Sequence, residues 1–590
     1  MINSNFVSNI KNEHRKDENS VKSEGMGKGT IMNRDELLTS IKNTPDISVL
    51  IVGGGINGVG TFRDLALNGV DVLLIDRADF CSGASAASSH MAHGGIRYLE
   101  NGEFRLVREA VQERNRMIDN APHLVRPLPT TIPIFKIFSG LLNAPLKFLG
   151  WLEKPSERGA LVIKIGLIFY DAFTRGQGTV PPHTFDNRKK ALGKFRRLNP
   201  DIQYAATYYD GSIFSPERLT VELLLDAEAE GSHARALNYV SLAGVNGDTV
   251  ILQDEVNLQT FALQPKLIIN AAGPWIDSAN RTLGLPTHYI GGTKGSHLVL
   301  DNAKLRAAIG NNEFFFENKD GRIVLIFPLG DKTIVGTSDT PVEDPESVRC
   351  TPEEDEYFIE MIARVFPDIK ITREQIIFRF SGVRPLAYTK AKNSGQITRD
   401  HHIQEDQLGG IPVYSLIGGK WTSFRAFSEQ VTDQALAFLG RERNRDTKQV
   451  PIGGGKEYPR TGYAELQFFN EVNQTTGLTR PWLKIFFDRY GTRLRDLAAF
   501  VMERKDAPLK HFPEMTRGEV AFLAEHERIV HLDDLLLRRT MLAYLGRLTR
   551  PLVEELTDIL GNSLGWGRAR KKAEAARALQ ILADRHQIRL

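Results

Sequence analysis

Residues 47 to 76 constrain this chain more than any other stretch. Ile47-Ser48-Val49-Leu50-Ile51-Val52 is a short apolar run, the pattern of a strand buried on both faces. Gly53-Gly54-Gly55-Ile56-Asn57-Gly58-Val59-Gly60 follows, and Gly53, Gly55 and Gly58 fit G-x-G-x-x-G. Phe62, Leu65, Ala66 and Gly69 then fall on one helical face, and Val70 to Ile75 reads as a second buried strand ending in Asp76. Gly53 permits the tight turn, Gly55 lets backbone approach a pyrophosphate, and Gly58 lets the helix pack on the sheet. The helix start offers unbonded N–H groups and a positive dipole end to phosphates. Asp76 is placed to accept hydrogen bonds from ribose hydroxyls, which favours FAD or NAD over NADP.

The residues after Asp76 separate those two. Cys81 to Ser89 is a run of small and hydroxyl residues leading into His90-Met91-Ala92-His93-Gly94-Gly95-Ile96-Arg97-Tyr98-Leu99. Small residues let the chain crowd a bulky planar cofactor, whereas a simple NAD domain continues to a third strand and helix. Asn270-Ala271-Ala272-Gly273-Pro274-Trp275 and Ile417-Gly418-Gly419-Lys420-Trp421-Thr422 look like further cofactor contacts, the second a strand, a glycine pair and a helix start.

Composition removes other classes. With 75 Lys and Arg against 72 Asp and Glu, the net charge of +3 does not suggest a nucleic-acid binder held by bulk electrostatics. The two cysteines, Cys81 and Cys350, cannot form a disulfide scaffold and point to a reducing compartment. No uninterrupted apolar run of about 18 residues predicts a spanning helix. Residues 1–44 are polar and aperiodic and read as a flexible tail, with structure beginning at Ile47. A joint is expected at Ile452-Gly453-Gly454-Gly455-Lys456, before which strand and helix patterns alternate and after which the chain reads as helical, including Asp533 to Arg539 and Ala573 to Ala583.

These motifs together resemble the FAD-dependent glycerol-3-phosphate dehydrogenases, within the D-amino-acid-oxidase-like flavoproteins. The resemblance runs from about Ile47 to the C-terminus. It rests on Gly53 to Gly60, His93 to Leu99, Ala121-Pro122-His123-Leu124, Asn270 to Trp275, Gly295-Ser296-His297, Gly336-Thr337-Ser338-Asp339, Gly382-Val383-Arg384-Pro385, Thr398-Arg399-Asp400 and Gly418-Gly419-Lys420. It implies an α/β fold: a Rossmann-like FAD-binding domain over residues 45–450, a mixed-sheet substrate cap from roughly 100–200 and 290–380, and an all-helical C-terminal domain over 456–590. The chain departs from the family at His90, where a Lys is usual, in an apparent insertion over Phe138 to Glu157, and in its N-terminal extension.

The cofactor set expected from motif and resemblance is Gly53, Gly55, Gly58, Asp76, Ser85, Ser88, Ser89, His90, His93, Gly94, Ala272, Gly273, Gly418, Gly419, Lys420, Trp421 and Thr422. A phosphorylated polyol needs fixed cations, and Arg97, Arg384, Arg399 and Lys420 sit in short turn-like contexts beside these motifs. The resemblance gives them to the substrate phosphate, with Tyr98 and Thr422 as hydrogen-bond partners. His297 is the first candidate for the base that takes the hydroxyl proton, with Arg384 and Lys420 beside it, and His93 is the second. No metal is expected. The implied reaction is oxidation of sn-glycerol 3-phosphate to dihydroxyacetone phosphate, with membrane quinone as acceptor. An oxygen-using oxidase of the same substrate, or an amino-acid or amine oxidase of the same fold, is the alternative. Ile132 to Leu152 is apolar, aromatic and interrupted by Lys136 and Lys147, which suits a segment lying in a membrane interface. Leu161 to Tyr170 is a weaker candidate that the resemblance places inside the folded body. The expected location is the cytoplasm, on the inner face of the cytoplasmic membrane, and the resemblance leaves a homodimer open.

Overall fold

The computed structural model describes residues 33–96, 103–137, 159–174, 179–317, 323–389, 400–504 and 506–590. Its first sheet runs, in spatial order, His402–Leu408, Ile411–Ile417, Thr260–Asn270, Asp46–Val52, Val72–Asp76 and Ala234–Asn238. All of these except the edge strand His402–Leu408 run parallel. Val49 to Ile51 and Val72 to Ile75 have no solvent exposure, as the uninterrupted apolar runs predict for strands covered on both faces. The register places Val52 opposite both Asn270 and Ile75. The carboxyl ends of three strands therefore meet, and Gly53, Asp76 and Ala271 converge there. The helix Ile56–Leu67 packs between Pro216–Glu228 and Phe424–Phe438, so nearly all of it is buried.

The second sheet draws its strands from two separate stretches, residues 91–213 and 293–384. It is antiparallel except where Glu313–Glu317 runs parallel to Val125–Ile134. Next to one edge of it, Thr293–Leu300 pairs with both Lys332–Gly336 and Ile376–Arg384, so that His297 faces Gly336 on one side and Phe380 on the other.

From Gly462 onward the regular elements are helical. The predicted helix at Asp533 to Arg539 is a single α turn followed by a π turn, Leu535–Arg539. Apolar side chains of this region form one core with the second sheet, joining Leu325, Phe378 and Phe380 to Leu536 and Tyr544. Burying a side chain such as Phe378 contributes about 2–3 kcal/mol.

One expectation is corrected. Residues 33–44 are not tail: Arg34–Asn43 is a helix whose Asn33 and Glu36 form a reciprocal capping box. Leu37, Leu38 and Ile41 are buried against Ile47, Leu50 and Leu263, three apolar contacts spaced along one helical face in a segment whose average composition is polar. The glycine stretch at the expected joint is buried. Gly453–Gly455 is a buried turn whose Gly453 and Gly454 N–H groups donate to Asp226 Oδ2 (3.0 Å) and Glu222 Oε2 (2.9 Å). A Cβ on Gly454 would lie 1.9 Å from the Tyr490 carbonyl oxygen, so glycine is needed for close approach.

Candidate active site

A cavity of about 1560 Å³ opens where the strand ends meet and extends along the second sheet. Its floor is the fingerprint. A Cβ at Gly58 would fall 1.9 Å from the Gly53 carbonyl oxygen, so the helix can sit on the strand only with glycine there. No side chain caps the helix at Gly55; instead the Ile56 N–H donates to Ser85 Oγ at 2.9 Å. Asp76 accepts from the Gly54 N–H (2.7 Å) and the Ala78 N–H (2.8 Å), and burial raises its pKa to about 6. These backbone bonds leave further acceptor capacity on the carboxylate.

The other motifs are brought to the same cavity from distant positions. Trp421 Nε1 donates to the Ser85 carbonyl at 2.9 Å. Asn57 Nδ2 donates to the Gly418 carbonyl at 3.1 Å, and a Cβ on Gly419 would strike Asn57. The His93 N–H donates to Thr422 Oγ1 at 2.9 Å. Of the predicted cofactor set, Gly53, Gly55, Asp76, Ser85, Ser88, Ser89, His93, Ala272, Gly273, Gly418, Gly419, Lys420, Trp421 and Thr422 line the cavity. The glycine cradle, the uncapped helix start and the ribose-side carboxylate fit a dinucleotide cofactor such as FAD.

Three predicted cofactor contacts do not reach it: Gly58 lies beneath the turn, packed against the Gly53 carbonyl, and His90 and Gly94 are buried elsewhere. His90 has no solvent exposure and lies behind the wall, 6.0 Å from the Phe380 ring and 5.5 Å from the Tyr544 ring. Burial lowers its pKa to about 4, so the imidazole is neutral and cannot supply the charge of the family's usual Lys. Gly94 is buried under Tyr170, its N–H donating to Asp210 Oδ1 at 3.0 Å and to Tyr170 Oη at 3.1 Å. Arg97, Tyr98 and Arg399 lie outside the described residues.

The opposite wall holds His297 and Arg384. His297 Nε2 is 2.8 Å from the Ser89 hydroxyl, and its ring stacks on Phe380 with centroids 4.7 Å apart. Burial, then the charge of Arg384, then His90, hold the imidazole pKa well below the ordinary histidine value. Arg384 donates to Thr337 Oγ1 (2.7 Å), the Ser338 carbonyl (3.1 Å) and Asp339 Oδ1 (3.1 Å). A Cβ on Gly295 would lie 2.3 Å from Arg384 Nη2, so that glycine makes room for the guanidinium.

Tyr208, Asp210, Thr337, Asp339 and Phe380 also line the cavity and were not singled out from sequence. Thr337 and Asp339 lie within Gly336-Thr337-Ser338-Asp339, so a signal existed for them. Tyr208 and Asp210 face the cavity from a strand with no motif of its own.

Comparison with known proteins agrees with this geometry. Residues 48–419 match the FAD dependent oxidoreductase family, and residues 445–571 match the C-terminal domain of alpha-glycerophosphate oxidase. A glycerol-3-phosphate dehydrogenase of Synechocystis sp. is 33% identical over 85% of this chain and 91% of its own length. A D-erythritol 1-phosphate dehydrogenase of Brucella abortus is 28% identical over 83% of this chain and 93% of its own. The crystal structure of a Bacillus halodurans glycerol-3-phosphate dehydrogenase complexed with FAD superposes with a TM-score of 0.71 at 21% identity, covering 94% of this chain and 97% of that one, and shows the shared fold. The chain belongs to the FAD-dependent oxidoreductases, in their glycerol-3-phosphate dehydrogenase family.

Proposed function

We propose that this enzyme oxidises sn-glycerol 3-phosphate to dihydroxyacetone phosphate and delivers the electrons to membrane quinone. The observation that carries the reading is one cavity lined by the dinucleotide fingerprint, by Arg384 and Lys420, and by a neutral buried imidazole, His297. When bound, FAD supplies the hydride acceptor for the C2–H bond of the substrate. Arg384, oriented by Thr337 and Asp339, presents a fixed planar cation to the phosphate, and Lys420 adds a point charge. The family resemblance of their motifs supports assigning Arg97, Tyr98, Arg399 and Thr422 to the same substrate site. His297, unprotonated at neutral pH, accepts the C2 hydroxyl proton, and Ser89 fixes its ring. His93 is the second candidate for that role.

The membrane side of the reading moves from one segment to another. Ile132 and Ile134 of the expected interfacial segment are buried core residues of the strand Val125–Ile134, because that strand pairs with Tyr204–Ile213 and is covered by the helix Ala160–Thr174; residues 138–152 lie outside the described residues. On that covering helix Ile163, Leu167 and Tyr170 face inward, while Leu161, Ile165, Ile168 and Phe169 are 42%, 48%, 52% and 48% exposed. No described helix is long and apolar enough to cross a membrane, and this outward face supports peripheral attachment beside a bilayer acceptor.

The test is anaerobic bleaching of the bound flavin by sn-glycerol 3-phosphate, run beside D-erythritol 1-phosphate. Bleaching by the first at low concentration is expected; no bleaching overturns the reading, and preference for the second reassigns the substrate. Reduction of a quinone analogue without peroxide formation separates dehydrogenase from oxidase.

A further inference from the structure

We propose that the C-terminal helical domain locks the adenosine end of the FAD site, with Asp79, Arg539 and Tyr239 as positioning residues for cofactor retention. Asp76 closes its strand at the carboxyl edge of the sheet, where this fold receives the ribose. The segments that continue from that edge are Arg77 to Asp79 and, on the neighbouring strand, Tyr239 and Val240; all line the cavity. They are tied to each other, Asp76 facing Asn238 in register and the Tyr239 N–H donating to the Ala78 carbonyl at 3.1 Å.

What holds this pair of segments in place comes largely from the other end of the chain. The Asp79 carboxylate has no solvent exposure and accepts from Arg538 Nε (2.5 Å), Arg539 Nη1 (2.7 Å) and Arg539 Nη2 (2.9 Å). Asn238 Nδ2 donates to Asp79 (2.9 Å) and to the Arg528 carbonyl (2.8 Å). Tyr239 Oη donates to Asp534 Oδ1 at 2.6 Å, and Arg538 Nη2 donates to the same oxygen at 2.6 Å. Leu537, Arg538, Arg577 and Ile581 supply cavity wall as well.

The local backbone serves this arrangement. Consecutive residues of an α-helix point about 100° apart, yet Arg538 and Arg539 both reach one carboxylate. They do so from a π turn in which the Thr540 N–H bonds back to the Leu535 carbonyl at 3.1 Å. A buried carboxylate is tolerated only while its cationic partners are in place. Undocking the π turn strands Asp79, so the 77–79 segment must move to water and carry the ribose-side edge of the site with it. Release of FAD is therefore coupled to local undocking of the C-terminal domain, without global unfolding.

The experiment uses the purified, FAD-loaded full chain with no substrate, so its outcome is independent of the reaction assigned above. FAD release after dilution is followed by the fluorescence of free FAD, folding by circular dichroism, and local protection by hydrogen exchange. Arg539→Ala is expected to release FAD about tenfold faster or more, and Tyr239→Phe about threefold faster. Both should lose protection at residues 76–80 and keep it at Val49 to Ile51. Parent-like release from folded Arg539→Ala overturns the proposal, as does release that coincides with loss of the whole fold in both variants. If Arg539→Ala does not fold, Tyr239→Phe decides: parent-like release and protection then overturn it.

Discussion

The Ser89 hydroxyl lies 2.8 Å from Nε2 of His297, joining the loop after the fingerprint to the second sheet across 208 residues of sequence. This contact fixes the imidazole plane together with the Phe380 stack. Ser89→Ala should lower kcat about tenfold, the scale of one lost hydrogen bond in a preorganised site. His297→Asn should lower it by about 10²- to 10⁴-fold, the range for removal of a general base. Steady-state kinetics on flavin-loaded variants checks both, and an unchanged kcat in His297→Asn moves the proton to His93.

The pH profile follows from the same residue. Its folded pKa lies below the ordinary histidine value, so the neutral form persists as pH falls through 6.5. The acid limb of kcat/KM should therefore lie below pH 6.5. An acid limb at or above the usual histidine value would remove His297 as the titrating group.

Arg384 offers a separate test of the phosphate site. Arg384→Ala should raise KM about 100-fold, the loss expected for a bidentate charge-assisted pair, with a smaller change in kcat. Gly295→Ala should act in the same direction, because its Cβ would stand 2.3 Å from Arg384 Nη2 and displace the guanidinium. Competition by inorganic phosphate should weaken in parallel in both variants.

Glu313 gives a stability prediction. It is fully buried, accepts from Thr130 Oγ1 at 2.8 Å, and desolvation pushes its pKa up to about 8. A raised folded pKa means that the folded state binds the extra proton between about 4.5 and 8, so this contribution is present at low pH and lost as pH rises through 8. Glu313→Gln should lose or gain little at pH 5 and become more stable than the parent by about 3 kcal/mol at pH 9. Chemical denaturation at the two pH values checks the difference; equal offsets would mean the group is ionised in the fold.

The outward face of Ala160–Thr174 should govern attachment to lipid. Ile165→Glu with Ile168→Glu should move the protein from sedimenting liposomes to the supernatant while flavin bleaching by substrate is retained. Partition unchanged from the parent would assign any attachment to another surface.

The sequence by itself determined the dinucleotide core. Gly53, Gly58 and Asp76 are legible because their roles depend on backbone reach and on neighbours within one strand–helix–strand unit, so spacing encodes them. The helical C-terminal stretch is legible for the same local reason. Sequence did not determine which motif residues face the cavity. His90 and Gly94 belong to a stretch in which Met91, His93, Gly95 and Ile96 line the cavity, but whether a side chain enters the site or the core depends on what packs behind it, here Phe380, Tyr544 and Tyr170. The helix at residues 34–43 is not legible in the sequence because three buried side chains among polar ones carry little weight until Ile47 and Leu263 are beside them. Most of all, tertiary structure alone brought Arg538 and Arg539 to Asp79. A carboxylate and two guanidiniums some 460 residues apart have no common spacing to read. Their pairing is set by the docking of one domain on another, where exclusion of water makes each charge require the other.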